Sequence, residues 1–448
     1  MSIIVLAPTG TLGYGFGAEA LRRGMGLQPD VIAVDAGSTD PGPAYLGAAE
    51  SLCSRRVIKA ELTQLIAASR SAKIPLIVGS AGGSGRGELV DETCDIVREI
   101  VSEMKIKLKL AWIYADIEPS RVSKAIRDGD IQDFEAGFEL TEADVKASQA
   151  IVAQMGWEPI AEALDAGADV VIAGRACDDL AIASYAIARG GDIALATHMG
   201  KILECGAFSA EPFAMDVMLG FLHDDHFILE PGSEQRIASL KSVAAHTLYE
   251  REDPFKQYGP GGMIDLSACK FKAEGDRRVR VSGAQFVPNS EHWFKLEGAK
   301  AVGYRTICIG GIRCPTMIER LDDLLAAAAE RTKSHFAPDP LTITFRPYGK
   351  NAVMAEMEPN HGQIPTEIGL LLDVTAETQE IAHGACHFLS GHLLHVAYPG
   401  QLNTSGNLAF PYSPSDIDAG IAYEFSMYHL MRADSATELF AVHTENLS

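Results

Sequence analysis

The sequence has little positive charge. Lysine and arginine number 38 against 60 aspartates and glutamates, which gives a formal net charge of −22 at pH 7. Such a chain is repelled by DNA, RNA and anionic membranes, so none of these partners is expected. A small anionic substrate stays compatible with this charge, because one local cationic pocket is enough to bind it.

Several motif signals are also missing. The eight cysteines form no CxxC pair, which opposes a structural zinc site. No apolar run is long enough for a membrane span, and neither a P-loop nor a GxSxG motif is present. Strand-like sequence begins at Ile3, where a signal peptide would stand, so the expected compartment is the cytoplasm.

The first half of the chain alternates short apolar runs with helical patterns. The apolar runs are residues 3–7, 31–34, 75–78, 108–114 and 170–173. The helical patterns between them include residues 61–71, 87–104 and 154–166. Continuous apolar runs are typical of strands buried on both faces. The alternation predicts the α/β class, with a doubly wound, mostly parallel sheet.

The pattern changes after about residue 235. Polar and apolar residues alternate at 278–281, as in a strand with one face in water. Further strands are predicted at 306–309 and 341–345, and helices at 318–335 and 376–395. We therefore predict a Rossmann-like α/β domain carrying anion-binding loops at 1–235. An α+β domain with a histidine-rich helix and a lid loop is predicted at 236–448.

A glycine-rich loop follows the third apolar run. Glycines allow close backbone approach, and the helix that follows would aim free N–H groups at an anion. The predicted ligand-binding residues of this loop are Ser80, Gly82, Gly83, Ser84 and Arg86. The alternative is a tight turn that needs glycine for packing. A second glycine loop, 10–15, has the wrong spacing for a dinucleotide fingerprint and leaves NAD binding as a minor alternative.

Charged residues follow two of the other apolar runs. Asp35 and Asp178 are predicted catalytic carboxylates, since ligands bind outside the carboxyl ends of parallel strands. Ser38 and Thr39 are predicted to bind substrate, with local helix capping as the alternative. Arg175, directly after a buried strand, is also a predicted catalytic residue, because it is well placed to bind a substrate carboxylate by two hydrogen bonds.

Lys201 and Glu204 form another candidate pair. They lie three residues apart and would meet on one helical turn, where a polarised lysine suits proton transfer. The alternative is a surface salt bridge beside a buried Cys205 thiol. Both residues are predicted catalytic residues.

A histidine-rich helix is predicted near the carboxyl end. His383 and His387 have metal-ligand spacing, but no HExxH glutamate accompanies them, so no metal ligand is assigned and a divalent metal is left open. His392 and His395 follow on the same helix. The polar loop after it, containing Asn407, is predicted to close over the substrate.

Taken together, these segments resemble the acyclic terpene utilisation AtuA-like family. The matching motifs are Gly174-Arg175-Ala176-Cys177-Asp178, Gly200-Lys201-Ile202-Leu203-Glu204-Cys205-Gly206-Ala207, Asp253-Pro254 with Tyr258 and Pro260, Asp276-Arg277 with Val281-Ser282-Gly283, Lys295-Leu296-Glu297-Gly298, and Gly303-Tyr304. The resemblance implies branched carboxylic acids or their CoA thioesters as substrates. After about residue 340 the chain does not look like the small separate domain of many relatives.

The leading functional expectation is an enzyme of lyase type that hydrates, dehydrates or cleaves such an acid or thioester. One alternative is a non-catalytic ligand-binding or scaffold subunit of a catabolic complex, and another is a nucleotide-dependent enzyme. Homo-oligomers are common among such enzymes, and one is expected here.

Overall fold

The computed structural model describes residues 2–134, 136–250, 253–360 and 362–448. Its strands are β1 (Ile3–Ala7), β2 (Val31–Asp35), β3 (Leu76–Gly79), β4 (Leu108–Ile113), β5 (Ile131–Asp133), β6 (Ala150–Ala153), β7 (Val170–Ala173), β8 (Met218–Leu222), β9 (Phe227–Pro231), β10 (Lys256–Gly259), β11 (Gly262–Asp265), β12 (Lys270–Glu274), β13 (Arg278–Ser282), β14 (Gln285–Pro288), β15 (His292–Ile312), β16 (Thr342–Tyr348), β17 (Ile368–Ala376), β18 (Asp416–Ala433) and β19 (Val442–Leu447).

The α-helices alternate with the early strands and become sparser later. They are α1 (Ala18–Gly26), α2 (Ala44–Ala48), α3 (Arg55–Ala72), α4 (Gly87–Met104), α5 (Pro119–Asp128), α6 (Glu142–Ala147), α7 (Glu158–Asp165), α8 (Asp178–Ala188), α9 (Ile193–Leu203), α10 (Leu240–Thr247), α11 (Pro315–Glu319), α12 (Leu321–Phe336) and α13 (Gln379–His395).

The chain forms two compact units. The first comprises Met1–Lys300 and Phe425–Ser448, and the second comprises Ala301–Glu424. The chain leaves the first unit within β15 and returns to it within β18. The boundaries of these compact units differ from the division predicted at residue 235. That division concerns independently folding domains and stays a prediction.

A ten-stranded sheet organises the first unit, with the order β12-β13-β9-β8-β1-β2-β3-β7-β4-β19. The five strands from β1 to β4 in this order pair in parallel, and the strands on both flanks pair antiparallel. All five predicted apolar runs form this parallel centre. The strand predicted at 278–281 is β13, and it pairs with β9 in this same sheet.

Helices cover both faces of the parallel centre because its strands are apolar on both sides. Val5 and Ala7 of β1 pack into one core with α8 and α9, whereas Leu6 packs into the other core with α3 and α4. Burying one such leucine or valine side chain contributes about 1.5–3 kcal/mol. The α/β class with a parallel centre is confirmed, while a doubly wound connection order stays a prediction.

Three predicted helices differ from the observed ones. The helix predicted at 61–71 begins earlier, at Arg55, and the one predicted at 318–335 is divided into α11 and α12. The pattern at 154–166 predicted a helix four residues too long at its start, since α7 begins at Glu158. Met155 instead exchanges backbone hydrogen bonds with Arg175 and Cys177, and Pro159 suits the first helical turn. Among the described residues, no helix combines the length and apolar character needed to cross a membrane.

The second unit is built on antiparallel pairing. β17 lies between β16 and the Tyr304–Ile312 part of β15. Leu370 and Leu372 of β17 pack into an apolar core with Leu389 of α13 and Leu325 of α12. This core holds α13 in place, while His383, His387 and His395 of that helix are exposed.

Candidate functional site

The turn after β3 holds the end of β7 in place. Ser80 is fully buried and adopts a left-handed backbone conformation, with φ of 49°. Its hydroxyl accepts a hydrogen bond from the Ala176 N–H at 3.1 Å and lies 3.3 Å from Arg175 Nη1. Gly85 must be glycine, because a Cβ there would lie 2.1 Å from the Arg175 nitrogen. Strained, buried residues of this kind are concentrated at functional sites.

Arg175 donates two hydrogen bonds to one carboxylate, as predicted, but this carboxylate is the side chain of Glu297 and not a substrate. Its Nε and Nη2 donate to Glu297 at 3.0 and 3.1 Å, and both side chains are 4% exposed. Lys295 adds a further ion pair to Glu297 at 2.8 Å. Arg175 Nη1 is left for Ser80 and for a long contact of 3.5 Å to Asp178. Only this third nitrogen faces the predicted catalytic residues.

Two cations, Arg175 and Lys295, pair with the single carboxylate of Glu297. Burial alone would raise the pKa of Glu297, but Arg175 and Lys295 outweigh burial and hold that pKa at about 2. Sequence reasoning missed both Glu297 and Lys295 as site residues. The available signal was their spacing of two in a β-strand, which places both side chains on one face of β15.

Asp35 ends β2 inside the protein. It is 4% exposed and accepts a hydrogen bond from the Gly37 N–H at 3.1 Å. Burial raises the pKa of Asp35 well above its ordinary value, the negative charge of Asp178 raises it further, and Arg175 offsets only part of this. Asp35 is therefore a carboxyl group that holds its proton far more tightly than a carboxyl in water.

Two aspartates begin α8, and their environments differ. The Asp178 side chain is 35% exposed and is the carboxylate of the site that solvent reaches most easily. Asp179 is buried, and it accepts hydrogen bonds from the Cys177 thiol at 2.9 Å and from the Gln257 amide. Burial raises the pKa of Asp179, and the Cys177 hydrogen bond and the charge of Lys201 counteract only part of the rise.

Lys201 and Glu204 form the predicted pair at the end of α9, at 2.5 Å. The pair is not on the surface, because the two side chains are 13% and 6% exposed. Burial raises the pKa of Glu204 well above its ordinary value, and Lys201 lowers it again in part. Within the described residues, Glu204 Oε2 is buried without a hydrogen-bond partner, and so is the Thr9 hydroxyl at the end of β1.

The predicted catalytic residues thus come together at the carboxyl ends of β1, β2, β3 and β7. The negative charge of Asp178 raises the pKa values of Asp35, Asp179 and Glu204, so these side chains lie close together, and we call the four residues the carboxyl cluster. Arg175 and Lys201 are the cations within it. Buried polar atoms without partners are rare in proteins, so the free oxygens of Thr9 and Glu204 are the natural contact points for a ligand.

Several of the predicted substrate-binding residues make hydrogen bonds within the chain. Arg86 donates to the Leu46 and Gly47 carbonyls and pairs with Glu88, so its charge is used within the chain. Ser38 accepts the Asp40 N–H in a turn, and the Thr39 carbonyl accepts the Gly42 N–H. Ser38 and Thr39 do not cap a helix, because α2 begins at Ala44 after Pro43. Substrate binding by Arg86, Ser38 and Thr39 stays a prediction.

Asn407 lies in the second unit, outside the unit that holds the carboxyl cluster. Its amide donates to the Leu393 and Val396 carbonyls at the end of α13. These two hydrogen bonds connect the loop to the end of the helix, and substrate binding by Asn407 stays a prediction.

The glycine loop after β3 is a packed turn. A Cβ on Gly82 would lie 2.7 Å from Leu89, and one on Gly83 would lie 2.8 Å from Leu52. The N–H at the start of α4, on Gly87, donates to the carboxylate of Asp116, whose pKa burial nevertheless raises. Asp116 thus occupies the position at the start of α4 where an anionic ligand was predicted. Ser84 Oγ is buried, with no partner among the described residues.

The loop after β1 is occupied in the same way. Gly13 N–H donates to Glu61 at 2.7 Å, Gly15 also donates to Glu61, and Gly17 N–H donates to Asp216 at 3.0 Å. A dinucleotide phosphate would need these donors and would be repelled by the two carboxylates. The geometry opposes NAD at this loop.

In the part of the chain that the structure describes, no group of three or more histidine, cysteine, aspartate or glutamate side chains is placed to hold a metal ion. His383 and His387 each contact an aspartate, and His395 contacts the Ser405 hydroxyl. All eight cysteines are free thiols.

Comparison with known proteins gives one result. No curated protein and no solved structure matches the chain. A sequence model described as "Acyclic terpene utilisation family protein AtuA" matches residues 54–405. The matched region contains Ser80, Arg175, Asp178, Glu204 and Glu297, whereas Asp35 precedes it. Because the match covers well over half of the sequence, the chain belongs to the acyclic terpene utilisation AtuA family.

Proposed function

We propose that this protein is an enzyme that moves a proton on a small branched organic acid or its CoA thioester. The observation that carries the proposal is the pairing of unlike carboxyl groups in the carboxyl cluster. Asp178 is partly exposed, whereas burial raises the pKa values of Asp35 and Glu204. A buried carboxyl group that holds its proton, next to one that solvent reaches, offers an acid and a base for one reaction.

A lyase reaction, either hydration with dehydration or carbon–carbon cleavage, fits these groups best. In a dehydration, ionised Asp178 would take a proton from the carbon next to the carbonyl. Protonated Glu204 or Asp35 would give its proton to the departing hydroxyl, which leaves as water. Arg175 Nη1 and Lys201 would stabilise the negative charge on the substrate carbonyl or carboxylate.

The family supports a catabolic setting, since its members are described by acyclic terpene utilisation. Carboxylic-acid or terpenoid breakdown in the cytoplasm, by a homo-oligomer, is the setting that we propose for this chain. The free thiols are compatible with a reducing compartment.

A thermal-shift screen of small di- and tricarboxylates and acyl-CoAs would identify the ligand class, because a ligand that binds only the folded protein raises its melting temperature. The ligand found would then be assayed for turnover. We expect Asp178→Asn to lower kcat by about 10²–10⁴-fold, which is the usual contribution of a positioned acid or base. Asp128→Asn, the same change on the exposed end of α5, is the matched control. Unchanged kcat in the Asp178 variant would refute the proposed role.

A second candidate function is a non-catalytic ligand-binding or scaffold subunit. It is favoured because two predicted anion-binding groups of the first unit already bind carboxylates of the protein. Arg175 binds Glu297, and the N–H group at the start of α4 binds Asp116. In that case Asp178→Asn and Glu204→Ala would leave the turnover of the pathway intact.

A further inference from the structure

One face of α13 in the second unit carries two histidines that the proposed enzyme reaction does not use. His383 and His387 are four residues apart, so their side chains lie one turn apart on the same side of the helix. The side chains are 46% and 73% exposed. Solvent therefore reaches both imidazole rings.

Each ring is oriented by a carboxylate of β18. His383 Nδ1 lies 2.9 Å from Asp418 Oδ1, and His387 Nδ1 lies 2.8 Å from Asp416 Oδ2. Next to an ionised aspartate, Nδ1 carries the proton and donates it, so a neutral ring has its lone pair on Nε2. Among the described residues, neither Nε2 makes a hydrogen bond.

The two carboxylates are themselves held in place. Asp418 Oδ1 accepts from the Thr306 hydroxyl at 2.9 Å. Asp416 accepts from Ser390 at 3.3 Å and from Ser415 at 3.1 Å. Metal-bound histidines are oriented by this same series of contacts, in which a fixed carboxylate binds Nδ1–H and thereby orients the ring and raises its basicity.

We propose that His383 and His387 bind one divalent transition-metal ion of the zinc class through their two Nε2 atoms. Imidazole nitrogens favour such ions over Mg²⁺ and Ca²⁺, which prefer oxygen ligands. The site has only two protein ligands, so water or a group from another molecule completes the coordination. Such a site exchanges its metal readily, unlike a closed structural zinc site. This proposal does not rest on the enzyme reaction proposed for the carboxyl cluster.

The test is a calorimetric titration of the full-length, chelator-treated protein with ZnCl₂. We expect one saturable site per chain, which is lost in the double variant His383→Ala/His387→Ala. His395→Ala is the matched control, since it changes a histidine of the same helix whose ring contacts Ser405. Both changes are at exposed positions, and circular dichroism would verify that the variants are folded.

A second variant separates metal binding from simple charge pairing. Asp418→Asn retains an oxygen acceptor for His383 but removes the charge, and we expect zinc affinity to fall by roughly 10–100-fold. Affinity should also fall as the solution is made more acidic, because protonated imidazole does not bind metal. The proposal is overturned if the double variant binds zinc as the native protein does. It is also overturned if the native protein shows no saturable binding below about 1 mM.

Discussion

Two contacts of similar length between a basic side chain and a carboxylate have opposite environments in this chain. In the first unit, Arg175 and Glu297 meet at 3.0 Å with both side chains 4% exposed. In the second unit, His383 and Asp418 meet at 2.9 Å with both side chains nearly half exposed. Water screens the second pair but not the first. Burial, rather than distance, therefore decides which pairs are needed for folding and which leave a group accessible to a ligand.

The largest effect is expected for Arg175→Ala. Removing the arginine leaves Glu297 buried with only Lys295 as a partner, and breaking a buried pair in this way costs about 3–5 kcal/mol of unfolding free energy. Arg121→Ala is the matched control, because Arg121 pairs with Glu438 at 2.7 Å near the surface. We expect that control to cost below about 1 kcal/mol. Chemical denaturation at pH 7 measures both, and equal losses would refute the role given to burial.

The pH dependence of stability distinguishes Asp35 from Glu297. The folded pKa of Asp35 is raised, so the folded state binds more protons and the native protein loses stability as pH rises above about 4. Asp35→Asn removes this loss, by about 1.4 kcal/mol for each unit of pKa difference. We expect the stability of this variant relative to the native protein to increase from pH 5 to pH 8. A constant difference across that range would contradict the account.

Glu297 should behave in the opposite way. Its folded pKa of about 2 lies below its ordinary value of 4.5, so its contribution is present above pH 4.5 and is lost as pH falls toward 2. The difference in unfolding free energy between the native protein and Glu297→Gln should therefore become smaller as pH falls from 4.5 toward 2. Denaturation curves at pH 5 and pH 3 are the measurement, and a difference that widens on acidification would be incompatible with the lowered pKa.

The smallest effect is expected for the exposed pair. His383→Ala should change the free energy of unfolding by only about 0–1 kcal/mol, because both partners are solvated. Chemical denaturation of the variant and of the native protein at pH 7 measures this difference. A loss as large as that of Arg175→Ala would mean that exposure does not separate the two regions.

The parallel centre of the fold could be predicted from the sequence because its signal is local. The runs ending at Ala7 and Ala173 are apolar on both strand faces, which is typical of strands buried in a parallel sheet. The same rule for strand ends predicted that Asp35, Arg175 and Asp178 would meet.

The partners of these residues could not be predicted, because they come from distant parts of the chain. Glu297 is 122 residues from Arg175, and Asp216 is 199 residues from Gly17. In the sequence, the glycine loops are typical of binding sites for an external anion. In the structure, their N–H groups donate to carboxylates of the protein itself. Sequence pattern thus predicts where charge gathers but not which charges are already neutralised.

The central claim is that burial gives the carboxyl groups of one site unlike proton affinities. Carbon-13 NMR of labelled aspartate and glutamate carboxyls, followed through a pH titration, tests it directly, with Asp35→Asn and Glu297→Gln assigning the signals. The account predicts that Asp35 titrates well above its ordinary pKa of 3.8 while Glu297 stays ionised down to about pH 2. If both carboxyls titrated near their ordinary values, the account would be wrong.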